Sequence, residues 1–170
     1  VVTLKTKYPQ GAEKQLINVC TGREVPSGGL PADAGAVVDN VATAAQIAKS
    51  LRTGLPLIER ICTVTGGAIA NPKNVMFKIG TLYSDIINMT GGFKEEPKKI
   101  ISGGPMMGVA LASVDVPANK GTSGILCFTE KEAHIDDMQN CIRCAKCVGV
   151  CPAFLEPVYI SAYSLKDDFE

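Results

Sequence analysis

LIERICTV (residues 57–64) and VMFKI (residues 75–79) are the two stretches that decide the fold. The first is rich in β-branched residues, and the second alternates apolar with polar side chains, so both have the pattern of strands. The residues that supply turns between them are Gly66, Gly67, Asn71 and Pro72. The sequence therefore predicts two neighbouring strands.

A short helix is predicted next, with Thr81 as its N-cap and two glycines at 91–92 after its end. Its inward side chains are predicted to be Leu82, Ile86, Ile87 and Met89. Residues 98–102 and 124–128 are further strand candidates. This order predicts a small β-grasp domain over residues 55–112, followed by a returning strand and linker over 113–135.

Residues 1–54 predict a strand, a helix, a loop and a second helix. Val1 to Lys5 alternates enough for a short strand, and a helix within residues 9–20 is expected to end at Gly22. Asp39 or Asn40 can cap the second helix, and Gly54 ends it. The apolar face of that second helix comprises Ala44, Ile47, Ala48 and Leu51.

GGPMMG (residues 103–108) is a glycine-rich turn with two interpretations. It can cradle a phosphate, although no Lys-Ser or Lys-Thr pair follows it as in phosphate-binding loops. The favoured interpretation is a tight loop between strands, with Met106 and Met107 as packing residues.

Cys141, Cys144, Cys147 and Cys151, followed by Pro152, form the run C-x2-C-x2-C-x3-C-P. This spacing is typical of bacterial ferredoxin-type [4Fe–4S] proteins, where three thiolates hold one cluster and the fourth ligates another. A zinc knuckle is the alternative, but it needs paired C-x2-C units with a longer spacer, and His134 lies outside the run. Residues 136–170 are therefore predicted to be a partial ferredoxin-type segment, with a helix in the tail after Pro157.

The run needs a further thiolate to complete its first cluster. Either a remote cysteine supplies it or the chain is a fragment, and truncation at both ends is the preferred interpretation. Cys20 and Cys62 are expected to be core residues, whereas Cys127 is the best remote ligand, with burial as its commoner role.

The residues between the ligands suggest how a cluster would be surrounded. Ile142, Val148 and Val150 can exclude water from it. Arg143 and Lys146 are expected to point outward, where they either attract an acidic ferredoxin or are ordinary solvated charges.

Composition excludes several classes of protein. The chain has 170 residues with 17 Lys and Arg against 17 Asp and Glu, so its formal net charge of zero gives no reason to expect a nucleic-acid partner. No apolar stretch is long enough to span a bilayer, and no secretory signal is visible. Seven cysteines, four of them in one motif, indicate a reducing, cytoplasmic compartment.

Four further stretches, taken with the cysteine run, resemble the C subunits of the Rnf family. An Rnf complex is a membrane-bound ferredoxin:NAD⁺ oxidoreductase that couples electron transfer to ion pumping. These stretches are YPQGAEKQLI (8–17), TGREVPSGGLP (21–31), GGPMMG (103–108) and KGTSGIL (120–126). The resemblance implies an α+β chain. It would comprise the C-terminal part of a complex I flavoprotein-like α/β domain (1–54), an SLBB β-grasp domain (55–112) and a short helical iron–sulfur segment (136–170).

The resemblance also implies residues of a flavin and nicotinamide pocket. Relatives in complex I carry Tyr-x-x-Gly-Glu-Glu and Val-Asn-Asn-Val-Glu-Thr stretches, and the matching residues here are Tyr8, Gly11, Glu13, Asn40 and Thr43. Ala12, Asp39 and Ala42 depart from those patterns. The loop that holds the FMN phosphate lies upstream in the family, so FMN and NAD(H) are expected in the parent protein rather than in this chain alone. Glu13 can equally be a solvated helix residue.

The function implied is electron transfer between ferredoxin and NAD through [4Fe–4S] clusters and a flavin. The partners implied are ferredoxin and other Rnf subunits, which would supply the only membrane attachment, at the cytoplasmic face. Two alternatives stay open: a related soluble electron-transfer protein, of the cobalamin-reductase-like or proline-reductase-partner kind, and a non-redox SLBB binding module.

Overall fold

A computed structural model of the chain describes residues 1–137 and 139–166. These residues form two compact units. The cysteine unit joins Val1–Val41 to the described residues after position 138, and the sheet unit is Ala42–Asp137. The helices are α1 (Glu13–Thr21), a 3-10 turn (Pro31–Ala34), α2 (Val41–Thr53), α3 (Tyr83–Asn88), α4 (Glu130–Ala133), α5 (Lys146–Val150) and α6 (Pro157–Ser164), and the strands are β1 (Glu59–Thr65), β2 (Lys73–Lys78), β3 (Lys99–Ser102), β4 (Val109–Ala110) and β5 (Gly124–Phe128).

The sheet unit is built on one five-stranded mixed sheet with the order β2-β1-β5-β3-β4. β1 pairs antiparallel with β2 and parallel with β5, while β3 pairs antiparallel with both β5 and β4. The four predicted strands form, and the expected mixed α and β content is confirmed. The last strand in the sequence is therefore the central strand of the sheet.

The core of the sheet unit lies between one face of the sheet and α3. The strands contribute Cys62, Val64, Val75, Phe77, Ile125 and Cys127, and α3 contributes Tyr83, Ile86 and Ile87. The prediction that Leu82 and Met89 point inward is wrong, because they are 38% and 46% exposed. The helix begins at Tyr83 rather than at Leu82, so residues 83, 86 and 87 share its inner face.

Tyr83 joins three parts of this core through its hydroxyl group. The Tyr83 hydroxyl lies 2.6 Å from Ser102 Oγ at the end of β3 and 3.1 Å from Thr122 Oγ1 before β5. Thr122 Oγ1 in turn accepts the backbone N–H of Asn119 at 3.1 Å. Because Tyr83 and Thr122 are each only 3% exposed, these partners satisfy polar groups that water does not reach.

The GGPMMG segment is a turn between β3 and β4, as the favoured interpretation predicted. The turn is closed tightly, since the Gly103 N–H donates to Gly124 O at 2.8 Å and the Gly108 N–H to Gly104 O at 2.8 Å. The prediction that its two methionines are packing residues is wrong, because Met106 and Met107 are 73% and 88% exposed. Gly103, whose φ is +104°, supplies the left-handed conformation at the start of the turn.

The first helices of the chain form largely as predicted. α1 begins at Glu13 because the backbone before it forms turns, in which the Gln10 N–H donates to Lys7 O and the Ala12 N–H to Pro9 O, both at 2.8 Å. It ends at Gly22, whose φ is +70°. The predicted strand over Val1 to Lys5 is wrong, since these residues have no strand pairing in the described structure.

No helix among residues 1–137 and 139–166 combines the length and the apolar character needed to cross a bilayer.

Candidate functional site

The cysteine run occupies a loop and the short helix that follows it. Cys141 and Cys144 lie in the loop, Cys147 lies within α5, and Cys151 is the residue that caps this helix. The first three are exposed and Cys151 is partly buried. α6 follows at Pro157 and contacts α5, as expected of a tail helix, although the last four residues of the predicted tail lie outside the described residues.

The backbone between the cysteines takes a conformation that is uncommon outside glycine. Arg143 and Ala145, on either side of Cys144, have φ values of +55° and +57°, and Phe154 has +55°. Alternation of left-handed with right-handed residues makes the backbone N–H groups converge, as at many iron–sulfur and phosphate sites. This feature lacked a signal in the sequence, because Arg, Ala and Phe are not residues that favour a positive φ.

Cys151 also accepts a hydrogen bond from the backbone. The Leu155 N–H donates to Cys151 Sγ at 3.4 Å, across the left-handed residue Phe154. N–H groups that donate to sulfur stabilise negative charge on a thiolate, and they are one of the means by which proteins set cluster potentials. The donor chemistry and the backbone therefore fit an iron–sulfur cluster.

The sulfur atoms are not gathered around one point. Within the part of the chain that the structure describes, no three His, Cys, Asp or Glu side chains lie close enough to hold a metal ion. Of the three apolar residues between the ligands, Ile142 and Val150 are 85% and 78% exposed and Val148 is partly buried. Arg143 and Lys146 are exposed, as expected.

The other three cysteines divide into two kinds. Cys20 is exposed in the last turn of α1, so its predicted place in a core is wrong. Cys62 and Cys127 are 1% and 0% exposed, and burial raises the pKa of each thiol to about 11. Because the thiolate is the form that binds iron, this environment favours a packing role for Cys127 over that of a remote ligand.

A groove of about 760 Å³ lies beside the cysteine run within the cysteine unit. Tyr8, Pro9 and Gln10 line it from the N-terminal segment, and Pro152 and Phe154 line it from the end of the run. Tyr8, one of the residues matched to a cofactor pocket, is thus brought next to the candidate cluster segment. Prediction from the sequence did not include Pro152 or Phe154 in this role.

The remaining residues matched to a cofactor pocket lie at two places in the cysteine unit and one in the sheet unit. Gly11 and Glu13 follow Tyr8 at the start of α1, where Glu13 is exposed. An acid in the first turn disfavours a phosphate at that helix end, so these residues do not fit the phosphate of a flavin nucleotide. Asn40 precedes α2 in the cysteine unit, whereas Thr43 is an exposed residue of α2 in the sheet unit.

Comparison with known proteins gives a consistent result. Residues 1–49 match the family model of the Nuo51 FMN-binding domain, and residues 61–110 match that of the SLBB domain. The chain is 59% identical over 167 residues to the C subunit of the Na(+)-translocating ferredoxin:NAD(+) oxidoreductase complex of Acetobacterium woodii, and the match covers 98% of this chain and 38% of that protein.

Two further relatives carry related names. The C subunit of the proton-translocating ferredoxin:NAD(+) oxidoreductase complex of Clostridium ljungdahlii is 55% identical over 170 residues, covering 100% of this chain and 37% of that protein. The C subunit of the ion-translocating oxidoreductase complex of Rhodobacter capsulatus is 45% identical over 165 residues, and the match covers 97% of this chain and 32% of that protein. The chain thus spans about a third of the length of these three relatives.

Proposed function

We propose an electron-transfer function for this chain, which belongs to the Rnf-type family formed by the C subunits of ion-translocating oxidoreductase complexes. The observation that carries the proposal is the run Cys141, Cys144, Cys147 and Cys151, whose spacing is that of ferredoxin-type ligands. A bound [4Fe–4S] cluster would supply one-electron redox chemistry. We assign Cys141, Cys144 and Cys147 to one cluster and Cys151 to a second.

The residues around the run would hold and tune such a cluster. The left-handed residues Arg143 and Ala145 bend the chain between ligands, and the Leu155 N–H donates to Cys151 Sγ. These features support a partial ferredoxin-type segment over residues 136–170. The other proposed boundaries are 1–54 for the end of the flavoprotein-like domain, 55–112 for the SLBB domain and 113–135 for the linker.

The substrates follow from the relatives. Two of them are named as subunits of ferredoxin:NAD(+) oxidoreductase complexes, and we infer that this chain contributes to the same exchange between ferredoxin and NAD. Residues 1–49 would belong to a flavin-binding domain, consistent with their match to the FMN-binding model. Tyr8, which lines the groove beside Pro152, is the best placed of the matched residues to contact a flat cofactor ring, with the flavin phosphate held elsewhere.

The proposed partners are the other subunits of the complex and ferredoxin, at the cytoplasmic face of the membrane. Arg143 and Lys146 are exposed cations between the ligands, and they would attract an acidic ferredoxin. Replacing both by Gln should slow reduction of the cluster by ferredoxin at low salt and leave the rate at high salt nearly unchanged. Equal rates for both proteins at low salt would dismiss the attraction.

Anaerobic reconstitution with iron and sulfide tests the electron-transfer proposal. We expect the chain to bind iron and acid-labile sulfide, and the dithionite-reduced sample to give an iron–sulfur EPR spectrum. Cys144→Ser should lower the iron content and change the spectrum. Cys20→Ser is the matched control, because Cys20 is also exposed but lies outside the run, and it should behave as the unmodified chain.

Two results would contradict the proposal. One is equal iron content in the Cys144→Ser and Cys20→Ser variants of a protein that binds iron when unmodified. The other is the absence of any reducible cluster, both in this chain and in a longer protein of the family that contains it, which would favour a non-redox binding module.

A further inference from the structure

The sheet unit contains an apolar groove of about 670 Å³ between α2 and the outer face of the sheet. Side chains alternate along a strand, so the neighbours of the buried pair Cys62 and Val75 point to the opposite face. The next pair in register on that face is Ile61 and Met76, and both side chains line the groove. None of the residues that line the groove belongs to the core or to the cysteine run.

Both walls of the groove present large apolar side chains that are not covered. Ile47 and Leu51 on α2 are 51% and 83% exposed, and Ile61 and Met76 on the strands are 57% and 58% exposed. α2 lies against this face through an ion pair, in which Lys49 Nζ is 2.6 Å from Glu59 Oε1. Clustered apolar exposure of this kind typically marks an interaction site.

The apolar ridge on α2 suits packing against another helix. Ile47 and Leu51 are four residues apart, so they form one ridge along α2, and such ridges pack into the grooves of a neighbouring helix. With 13 residues, α2 is about 20 Å long, which suits a partner helix of three to four turns. Burial of an apolar stripe in a groove is a common mode of helix recognition.

The charges around the groove are mainly positive. Lys49 lines it, Arg52 lies in the last turn of α2, and Lys78 is opposite Glu59 in the strand register. Among the described residues that line the groove, Glu59 is the one acid, and it is paired with Lys49. The sequence of α2 contains no acidic residue. A partner with acidic residues beside its apolar stripe would complement this rim.

We propose that the groove between α2 and the β1–β2 face binds an amphipathic helix whose apolar stripe is flanked by acidic residues. The apolar stripe contacts Ile47, Ile61 and Met76, and the acidic flanks face the cations of the rim. This inference does not depend on a cluster in the cysteine run.

Fluorescence anisotropy with two labelled 14-residue helical peptides tests the proposal on this chain. Both peptides carry the same leucine stripe, one flanked by Glu and the other by Lys. We expect the Glu peptide to bind at least about 10-fold more tightly than the Lys peptide, with a preference that shrinks as salt is added. Equal binding of the two peptides, or binding of neither, would overturn the proposal.

Substitutions in the groove test whether the Glu peptide binds there. Ile61→Ser and Met76→Ser should each weaken binding of the Glu peptide about 10-fold, and since both side chains are exposed, the fold should persist by circular dichroism. Val109→Ser is the control, because Val109 is an equally exposed apolar residue at the other end of the sheet. Equal loss of affinity in all three variants would place the peptide elsewhere.

A photo-crosslinking residue in place of Met76 identifies the occupant in the assembled complex. The expected product joins position 76 to an acidic amphipathic helix, located by mass spectrometry. Crosslinks to a second copy of the chain, to lipid or to a non-helical segment, or no crosslink at all, would contradict the proposal.

Discussion

The carboxylate of Glu132 accepts a hydrogen bond from the backbone N–H of Gly67, with 2.9 Å between Oε2 and N. The same oxygen accepts the Thr129 N–H at 3.0 Å, while Thr129 Oγ1 accepts the Glu132 N–H at 3.3 Å. This reciprocal cap starts α4 and ties it to the turn after β1. The bond from the Thr129 backbone, followed by that from Gly67, lowers the pKa of Glu132.

Glu132→Gln should lower the urea midpoint of unfolding at pH 7. Because the folded pKa lies below the unfolded one, the ionised carboxylate stabilises the fold above the ordinary Glu pKa of about 4.3. This stabilisation is lost as the pH falls through the lower folded pKa. The difference between the two proteins should therefore shrink below about pH 4, as measured by urea titrations at several pH values.

Glu130→Gln is the control for that experiment. Glu130 lies on the same short helix, and its side chain is 78% exposed in an ion pair with Lys98 at 3.1 Å. Exposed pairs contribute little, so this change should leave the midpoint nearly unaltered. A midpoint equally lowered by both changes would mean that the charge of α4, rather than the bond to Gly67, is what matters.

Gly66→Ala should be strongly destabilising. Gly66 has a φ of +114°, and a Cβ there would lie 2.2 Å from the carbonyl oxygen of Cys127. That oxygen accepts the Ala68 N–H at 3.0 Å, so the turn cannot open without losing this bond. We expect a loss of roughly 3–5 kcal/mol in the free energy of unfolding, measured by chemical denaturation.

Gly80→Ala separates the backbone contribution from the clash. Gly80 has a φ of +95°, yet apart from Gly80 and its two chain neighbours no described residue has an atom within 4 Å of the position of its Cβ. It should therefore lose only the conformational contribution, about 1–2 kcal/mol. If both variants lose the same free energy, the close approach of Cys127 to Gly66 is not a constraint on the fold.

The pattern of side chains could predict which segments become strands, but it could not predict their order. β1, β2, β3 and β5 were predicted because alternation and β-branching are local signals. The insertion of β5 between β1 and β3, parallel to β1, depends on pairing between residues far apart in the sequence, such as Val64 with Ile125. The order of the strands depends on how all the core side chains pack together, and no local pattern of residues determines it.

Exposure was the other property that the sequence predicted poorly. Cys20, Met106 and Met107 were expected to pack, since apolar residues usually do. Side chains on a helix face or in a turn are buried only where another element covers them. Which element covers them depends on the tertiary structure. For the candidate site, the sequence predicted the cysteine ligands from their spacing. It did not predict the left-handed conformations of Arg143, Ala145 and Phe154, which shape the backbone of the site.

Tyr83→Phe should lower the free energy of unfolding by about 1–3 kcal/mol, because it leaves Thr122 without one buried hydrogen-bond partner. Thermal and urea unfolding measure the loss. Tyr159→Phe removes a hydroxyl from a side chain that is 56% exposed, and it should stay within about 0.5 kcal/mol of the unmodified chain. A Tyr83→Phe protein as stable as the Tyr159→Phe protein would show that the hydroxyl contributes no net stability.

The two buried thiols predict a loss of stability in alkali. Burial raises the pKa of Cys62 and of Cys127 from 9.0 to about 11, so the unfolded chain releases these protons at lower pH than the folded one. The free energy of unfolding should fall between pH 9 and 11, by roughly 2 kcal/mol for each thiol. The double variant Cys62→Ala, Cys127→Ala removes this contribution, and an unchanged alkaline slope in that variant would contradict the prediction.

The central position of β5 also constrains the order of events during synthesis on the ribosome. β1 and β2 can pair as soon as they emerge, but β3 and β4 have no place beside them until residues 124–128 arrive. The sheet can therefore close only shortly before Cys141 emerges from the ribosome. A ribosome that stalls before β5 would expose an incomplete sheet without the cysteine run. One that continues well past β5 releases a closed sheet and the first cysteines almost together.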